Sequence, residues 1–202
     1  VFYTTAQHKC RCIHKHNYNE QITQRVITVP LTQKNRAHSE HIYKGNIVSL
    51  RLDKLSVPDG GQRTKEVVEH NGGVVIACLP DPKQVILVEQ FRYPTGESLY
   101  ELPAGTIEVG EKPEVCAARE LIEETGYMAK KWTKLGEMYS APGFCTELLH
   151  AYEACDLEFV GTNPDEDEEI DIHILSLDVA WSWVMNGKIR DAKTIAVLGM
   201  LR

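Results

Sequence analysis

Between Pro113 and Gly126 the chain reads Glu-Val-Cys-Ala-Ala-Arg-Glu-Leu-Ile-Glu-Glu-Thr, and no other stretch constrains the fold as much. Proline suits a first helical turn and glycine the position just past a helix end, so the pair brackets a helix. At ~100° per residue, Glu120, Glu124 and Glu123 fall at about 0°, 40° and −60°, on one arc. Val115, Ala118 and Ile122 fall at about 220°, 160° and 200°, on the opposite arc. The periodicity therefore predicts a helix that packs Val115, Ala118 and Ile122 and presents three carboxylates away from them. Cys116 and Ala117, small residues beside the acidic arc, would leave room there. Like charges at i, i+3 and i+4 repel and cost helix stability. Either water solvates this face, or the carboxylates share a hard divalent cation, whose preference is for oxygen ligands. Spacing alone leaves both readings open.

The charge distribution bears on that choice. The 202 residues carry a formal net charge of −7, from 22 Lys+Arg against 29 Asp+Glu. Gly105 to Tyr127 holds six Glu against Lys112 and Arg119, and Ala151 to Asp171 holds nine acids with no Lys or Arg. The remainder of the chain is mildly basic. No stripe of basic residues suits a nucleic acid, so no such partner is expected. No apolar run reaches the ~18 residues of a membrane span, and Lys9, Arg11 and Lys15 interrupt the N-terminal stretch where a signal peptide would be apolar. Six cysteines in a chain of this length do not form a disulfide framework, so reduced thiols and a cytoplasmic setting are expected.

Residues 1–44 read as a polar, poorly ordered N-terminal extension with one β-like run, Arg25 to Pro30. The cluster His8, Cys10, Cys12, His14, His16 has ligand-type side chains. Its alternating spacing sends them to two sides of an extended chain, unlike the closed loops of zinc sites. Residues 45–202 read as one domain. Apolar alternation or short apolar runs predict strands at Ile47 to Leu55, Lys65 to Glu69, Val74 to Leu79, Val85 to Phe91, Trp132 to Met138, Leu148 to Ala154 and Ile170 to Leu175. Pro80-Asp81-Pro82 predicts a hairpin between the third and fourth of these. Ser176 and Asp191 are set to cap two C-terminal helices. Together these elements predict an α+β fold, an α/β/α sandwich with a mixed central sheet, the carboxylate-bearing helix and C-terminal helices.

The motif extends beyond the helix. Gly105, five residues, Glu111, seven residues, then Arg119-Glu120-Leu121-Ile122-Glu123-Glu124-Thr125-Gly126-Tyr127 matches every fixed position of the Nudix box, and from about Gly45 the chain resembles the Nudix hydrolases. Within that family it looks like the ADP-ribose pyrophosphatases. Glu66-Val67-Val68-Glu69-His70, Glu89-Gln90-Phe91-Arg92, Glu101-Leu102-Pro103-Ala104-Gly105 and Ala141-Pro142-Gly143-Phe144 support the narrower match, as does Pro142 sixteen residues past Gly126. So do Asp165 to Ile170 and Gly187 to Thr194.

The resemblance implies hydrolysis of the pyrophosphate bond of ADP-ribose to AMP and ribose 5-phosphate, with Mg²⁺ as cofactor and Mn²⁺ as its alternative. It implies metal ligands at Glu120 and Glu124, with Glu123 and the Ala104 carbonyl as further ligands. Glu123 also counts among the catalytic residues. Arg119 and Glu111 would brace the loop and helix. Glu168, on a loop after the box, corresponds to the general base, with Glu166 next. Arg92, Phe91 and Gly143 correspond to substrate-binding positions, and Tyr93 and Phe144 could stack on adenine. The resemblance further implies a homodimer whose N-terminal strands complete the partner's base and ribose site. Two alternatives remain: another nucleoside diphosphate sugar or NADH as substrate, or a sensor that binds ADP-ribose without cleaving it.

Overall fold

The computed structural model describes residues 31–58, 60–161 and 170–202. Thr32 caps a short 3-10 turn, Gln33–Asn35, which leads into β1 (Arg36–Lys44), β2 (Ser49–Ser56) and β3 (Gln62–Glu69), an antiparallel three-stranded sheet. The main sheet contains β4 (Gly73–Cys78), β5 (Gln84–Arg92), β8 (Tyr127–Tyr139), β9 (Leu148–Phe159) and β10 (Ile170–Ser176) in the order β10-β5-β4-β9-β8. Two short strands attach to it: β6 (Glu97–Glu101) pairs with β5, and β7 (Ala104–Thr106) pairs with β4. β4 and β9 run parallel and the other pairs antiparallel, so the sheet is mixed.

β4 is the axis of the molecule because all six of its residues are buried. Its side chains alternate between two cores, as a strand's period of two requires. Val74, Ile76 and Cys78 face α1 (Pro113–Thr125) with Cys116, Ala117 and Leu121. Val75 and Ala77 face Ala180 of α2 (Leu177–Met185) and Val197 and Leu198 of α3 (Ala192–Met200). Helices thus cover both faces, giving the expected α/β/α sandwich. The helix signals hold locally. Pro113 opens α1, and Gly126 ends it at φ 72° with its N–H on the Ile122 carbonyl at 2.8 Å. Ser176 accepts from the Val179 N–H at 3.2 Å and Asp191 from the Thr194 N–H at 2.9 Å.

Two departures place the functional region. The predicted β4–β5 hairpin turns as expected at Asp81, whose side chain accepts from the Lys83 N–H at 2.7 Å. The two strands, however, register only at Cys78 and Ile86 before diverging. β7 takes the vacated side of β4, and β6 pairs with the far half of β5. This split opens a cleft between Arg92 at the end of β5 and Ala104 on β7.

Residues 33–44, read from sequence as part of the extension, form the 3-10 turn and β1. Every β1 residue is exposed, so the strand buries no apolar face and leaves no alternation to detect. Main-chain pairing with β2 and polar contacts hold it, among them Ser39 to Asp53 and His41 to Glu69. The run Arg25 to Pro30 and the His and Cys cluster lie outside the described residues. The three-stranded sheet is tied to the main body at Val68, which donates to the Phe144 carbonyl at 2.8 Å and accepts from the Thr146 N–H at 2.9 Å.

Candidate active site

The packing of α1 corrects the helical-wheel reading. Cys116, Ala117 and Leu121 are fully buried, whereas Val115 is 57% exposed and Ile122 only half-buried. The inward face is therefore the one carrying Glu120 and Glu124, not the Val115, Ala118 and Ile122 arc. The reason lies in residue size. Cys116 and Ala117 let α1 approach the sheet closely, and the glycine at position 105 lets it approach β7.

Gly105 makes that approach visible. A Cβ built there would lie 1.8 Å from Glu120 Cδ and 1.9 Å from its Oε1. The Glu120 carboxylate is thus seated on bare backbone. Next to it, the Ala104 N–H donates to Glu124 Oε2 at 3.0 Å, and Glu124 is 4% exposed. The structure brings Ala104, Glu120 and Glu124 together at the seam between α1 and β7.

Arg119 offsets the charge of this seam. Its Nη1 donates to Glu120 Oε1 at 2.7 Å and Glu123 Oε2 at 2.9 Å. Its Nε and Nη2 both donate to Glu111 at 3.1 Å, and Nη2 also reaches the Thr106 carbonyl at 3.3 Å. One guanidinium thereby ties the loop before the helix to two carboxylates on it. The Glu111 hydrogen bond is the main reason the Arg119 pKa is raised, and the Arg119 hydrogen bond is the main reason Glu111 stays below the usual carboxylate range. Burial pushes the neighbouring Cys116 thiol up to about 12, with Glu111 and Glu120 adding to the rise, so it stays protonated at neutral pH.

Three carboxylates and one carbonyl suit a hard divalent cation better than a soft one. Among the described residues, no group of three or more His, Cys, Asp or Glu converges in metal-holding geometry. Arg119 and the Ala104 N–H fix the orientation of the carboxylates. The donor set still fits one: all its atoms are oxygens, and the bare Gly105 backbone gives Glu120 a seat that any side chain would fill.

Above the seam lies a cavity of about 530 Å³ lined by Arg92, Ala104, Gly105, Ser140, Glu147 and Lys193, among others. Arg92 forms a two-point pair with Glu101, Nε to Oε1 and Nη2 to Oε2, both at 2.8 Å. Glu101 is 2% exposed and also accepts from Lys193. Burial, the largest single influence on Glu101, pushes its pKa up, but Arg92 and Lys193 together outweigh it and hold the carboxyl below its ordinary value.

The other sequence-derived positions lie elsewhere. Phe91 is 57% exposed on β5, and Tyr93 is exposed in the turn that follows. Gly143 lines a separate cavity of about 280 Å³ with Phe144, Arg51 and Lys65, beneath the three-stranded sheet. Glu166 and Glu168 lie outside the described residues. Lys193 and Glu147 had no role assigned from sequence. Lys193 reaches Glu101 from 92 residues away, a contact no local pattern can encode.

Among solved structures, a crystal structure titled as an ADP compounds hydrolase superposes with a TM-score of 0.75, covering 87% of this chain and 95% of that one at 22% identity. The chain is 37% identical over 165 residues to an ADP-ribose pyrophosphatase of Bacillus subtilis, covering 81% of this chain and 89% of the relative. It is 40% identical over 166 residues to an ADP-ribose pyrophosphatase of Mycobacterium tuberculosis, covering 81% and 79%. The model of the NUDIX domain matches residues 69–198, which include the carboxylate helix, the split between β4 and β5 and the helix that carries Lys193, and the chain therefore belongs to the Nudix family.

Proposed function

We propose that the protein hydrolyses the pyrophosphate bond of ADP-ribose, releasing AMP and ribose 5-phosphate, with Mg²⁺ as its cofactor and Mn²⁺ as a substitute. The observation that carries this reading is the Glu120 carboxylate seated on Gly105 beside the Ala104 and Glu124 pair, where Ala104 and Gly105 also line a cavity with Arg92. The names of the two relatives support the choice of ADP-ribose.

Glu120, Glu124, Glu123 and the Ala104 carbonyl would hold the divalent ion. When bound, the ion offsets the diphosphate's charge and polarises the attacking water. The chain's own residues do the rest. Packing of Cys116, Ala117 and Leu121 against β4 fixes the height of the carboxylates above β7. Arg119 and Glu111 fix their rotamers, as outer-layer partners do around other metal ligands. Arg92 faces the cavity with Nη1 outside its pair with Glu101 and without a hydrogen-bond partner among the described residues, so that group can meet a phosphate or sugar oxygen. Glu168 takes the proton from water, with Glu166 as the neighbouring carboxylate. Phe91 and Gly143 act on the substrate from outside the main cavity, Gly143 with Phe144 beneath the three-stranded sheet. Glu168→Gln should slow turnover about 10²-fold, toward the low end for a lost general base because carboxylates adjoin it. A turnover within twofold of wild type, with unchanged thermal unfolding, would reject that role.

A second copy of the chain completes this site in our reading. β1 is exposed along its whole length, Ile42 and Tyr43 included, and Ile47 and Val48 are exposed just after it, an edge unpaired among the described residues and an apolar surface that a homodimer would cover. No helix among the described residues is long and apolar enough to cross a membrane. Cys78, Cys116, Cys145 and Cys155 are free thiols, which supports a reducing, cytoplasmic setting.

The deciding experiment incubates the protein with Mg²⁺ and a panel of ADP-ribose, ADP-glucose, GDP-mannose and NADH, following nucleoside monophosphate release. ADP-ribose should show the highest kcat/KM, and EDTA should abolish release. A higher kcat/KM for another member would transfer the assignment to it. Tight ADP-ribose binding with no hydrolysis of any member would make the protein a sensor.

A further inference from the structure

The cavity wall opposite the carboxylate seam is built by α3, the last helix of the chain. Its N-terminal residues Asp191, Ala192 and Lys193 line the same cavity as Arg92, Ala104 and Gly105. This placement is fixed from two sides. Thr194 is fully buried, and its hydroxyl accepts from the Leu102 N–H at 2.8 Å, two residues before Ala104. The Asp191 carboxylate caps the helix by accepting from the Thr194 N–H at 2.9 Å and the Thr194 hydroxyl at 2.6 Å. Lys193 lies between these two anchors, with its side chain only 18% exposed.

Two cations therefore converge on one buried carboxylate, Arg92 from β5 and Lys193 from α3, both on Glu101. Lys193 Nζ also meets Asp191 Oδ1 at 3.1 Å. An ammonium has three donors, and these two acceptors engage two of them. Arg92 likewise has Nη1 outside its pair with Glu101. Both groups line the cavity, and each retains donor capacity for an anion within it.

We infer that Lys193 is a substrate-binding residue which, with Arg92, holds the diphosphate oxygens of the bound nucleotide from the side opposite Glu120 and Glu124, and that Glu101 positions both cations for this task. The inference rests on the proposed function for its substrate. It adds a second cation from the C-terminal helix to the single arginine expected from sequence. The arrangement has a physical logic. The α1 carboxylates repel a diphosphate on their own, so fixed N–H donors of Arg92 and Lys193 on the facing wall offset that repulsion locally and set its orientation. Asp191 and Glu101 balance the two cations, so the wall is preorganised without accumulating net charge.

The test is direct binding without turnover. ADP-ribose is titrated calorimetrically into wild-type protein, Lys193→Met and Lys193→Arg in EDTA, and KM and kcat are then measured with Mg²⁺. Lys193→Met should weaken ADP-ribose binding about ten- to hundredfold, the range for a lost charge-assisted hydrogen bond. KM should rise by a similar factor, with a smaller change in kcat, and Lys193→Arg should recover most of the loss. A merely structural lysine would lower the thermal midpoint of Lys193→Met and leave Kd unchanged. If wild-type protein binds and cleaves ADP-ribose and Lys193→Met matches its Kd, the inference fails and the functional reading stands. If wild-type protein neither binds nor cleaves any member of the panel, the functional reading fails and the inference with it.

Discussion

Gly105→Ala is expected to leave a folded protein that has lost turnover by on the order of 10²–10³-fold. The three atoms nearest the added methyl all belong to the end of a flexible side chain, the Glu120 carboxylate at 1.8 to 2.4 Å. A carboxylate can turn where backbone cannot, so the fold can yield by rotating Glu120 away. That rotation is the damage. Glu120 is held at one end by packing of α1 and at the other by Arg119 Nη1 at 2.7 Å. Clearing the methyl moves the carboxylate by more than 1 Å, and displacement on that scale misaligns a metal ligand and the water it helps place. Gly105 has no positive φ, so the requirement for glycine there is one of space and not of backbone conformation. The checks are kcat with Mg²⁺ and thermal unfolding. A midpoint within a few degrees of wild type with turnover down a hundredfold or more is the expected pair. Unchanged turnover would show that the Glu120 seat is not used. Glu120→Gln separates the two causes, since it keeps the seat empty of a methyl and removes only the ligand charge.

The same residues show where sequence reasoning stops. The bounds and caps of α1 were legible because Pro113 and Gly126 act locally. Its inward face was not, because Val115 and Ile122 carry most of the helix's apolar weight while Cys116 and Ala117 carry little. Close helix–sheet contact selects small side chains, and hydrophobic periodicity undercounts them. The strands of the main sheet were legible from apolar runs. β6 and β7 were not, being only five and three residues long, nor β1, which is exposed throughout. The box residues were legible as a motif, and the Ala104 to Glu124 contact confirms that the segment before the helix folds back onto it. Lys193 and Glu101 were not assigned a role because their partnership exists only after α3 docks on the strand leading to Ala104. A buried glutamate ending a short strand is a weak signal until its cations are known.

Glu101→Gln is expected to be the most destabilising single change in the cavity wall. Glu101 is 2% exposed and accepts from Arg92 at two points and from Lys193. Removing its charge leaves two cations facing one neutral amide. Breaking a buried pair in this way costs roughly 3–5 kcal/mol. Arg92 is 36% exposed and Lys193 keeps Asp191, so the lower end, about 3 kcal/mol, is expected. For a chain of this size that corresponds to a thermal midpoint lower by about 6–12 °C. The pH dependence gives a second, independent sign. Because the folded pKa of Glu101 lies below its ordinary value of 4.5, its stabilisation is fully present above that value and is lost as pH falls through the folded pKa. Wild-type stability should therefore decline on acidification below about pH 4.5, and the difference between wild type and Glu101→Gln should shrink over the same interval. Denaturant unfolding of both proteins at a series of pH values measures this. A gap that stays constant from pH 7 to pH 3 would mean that the charge of Glu101 is not what holds Arg92 and Lys193, and the cation wall would then need another anchor.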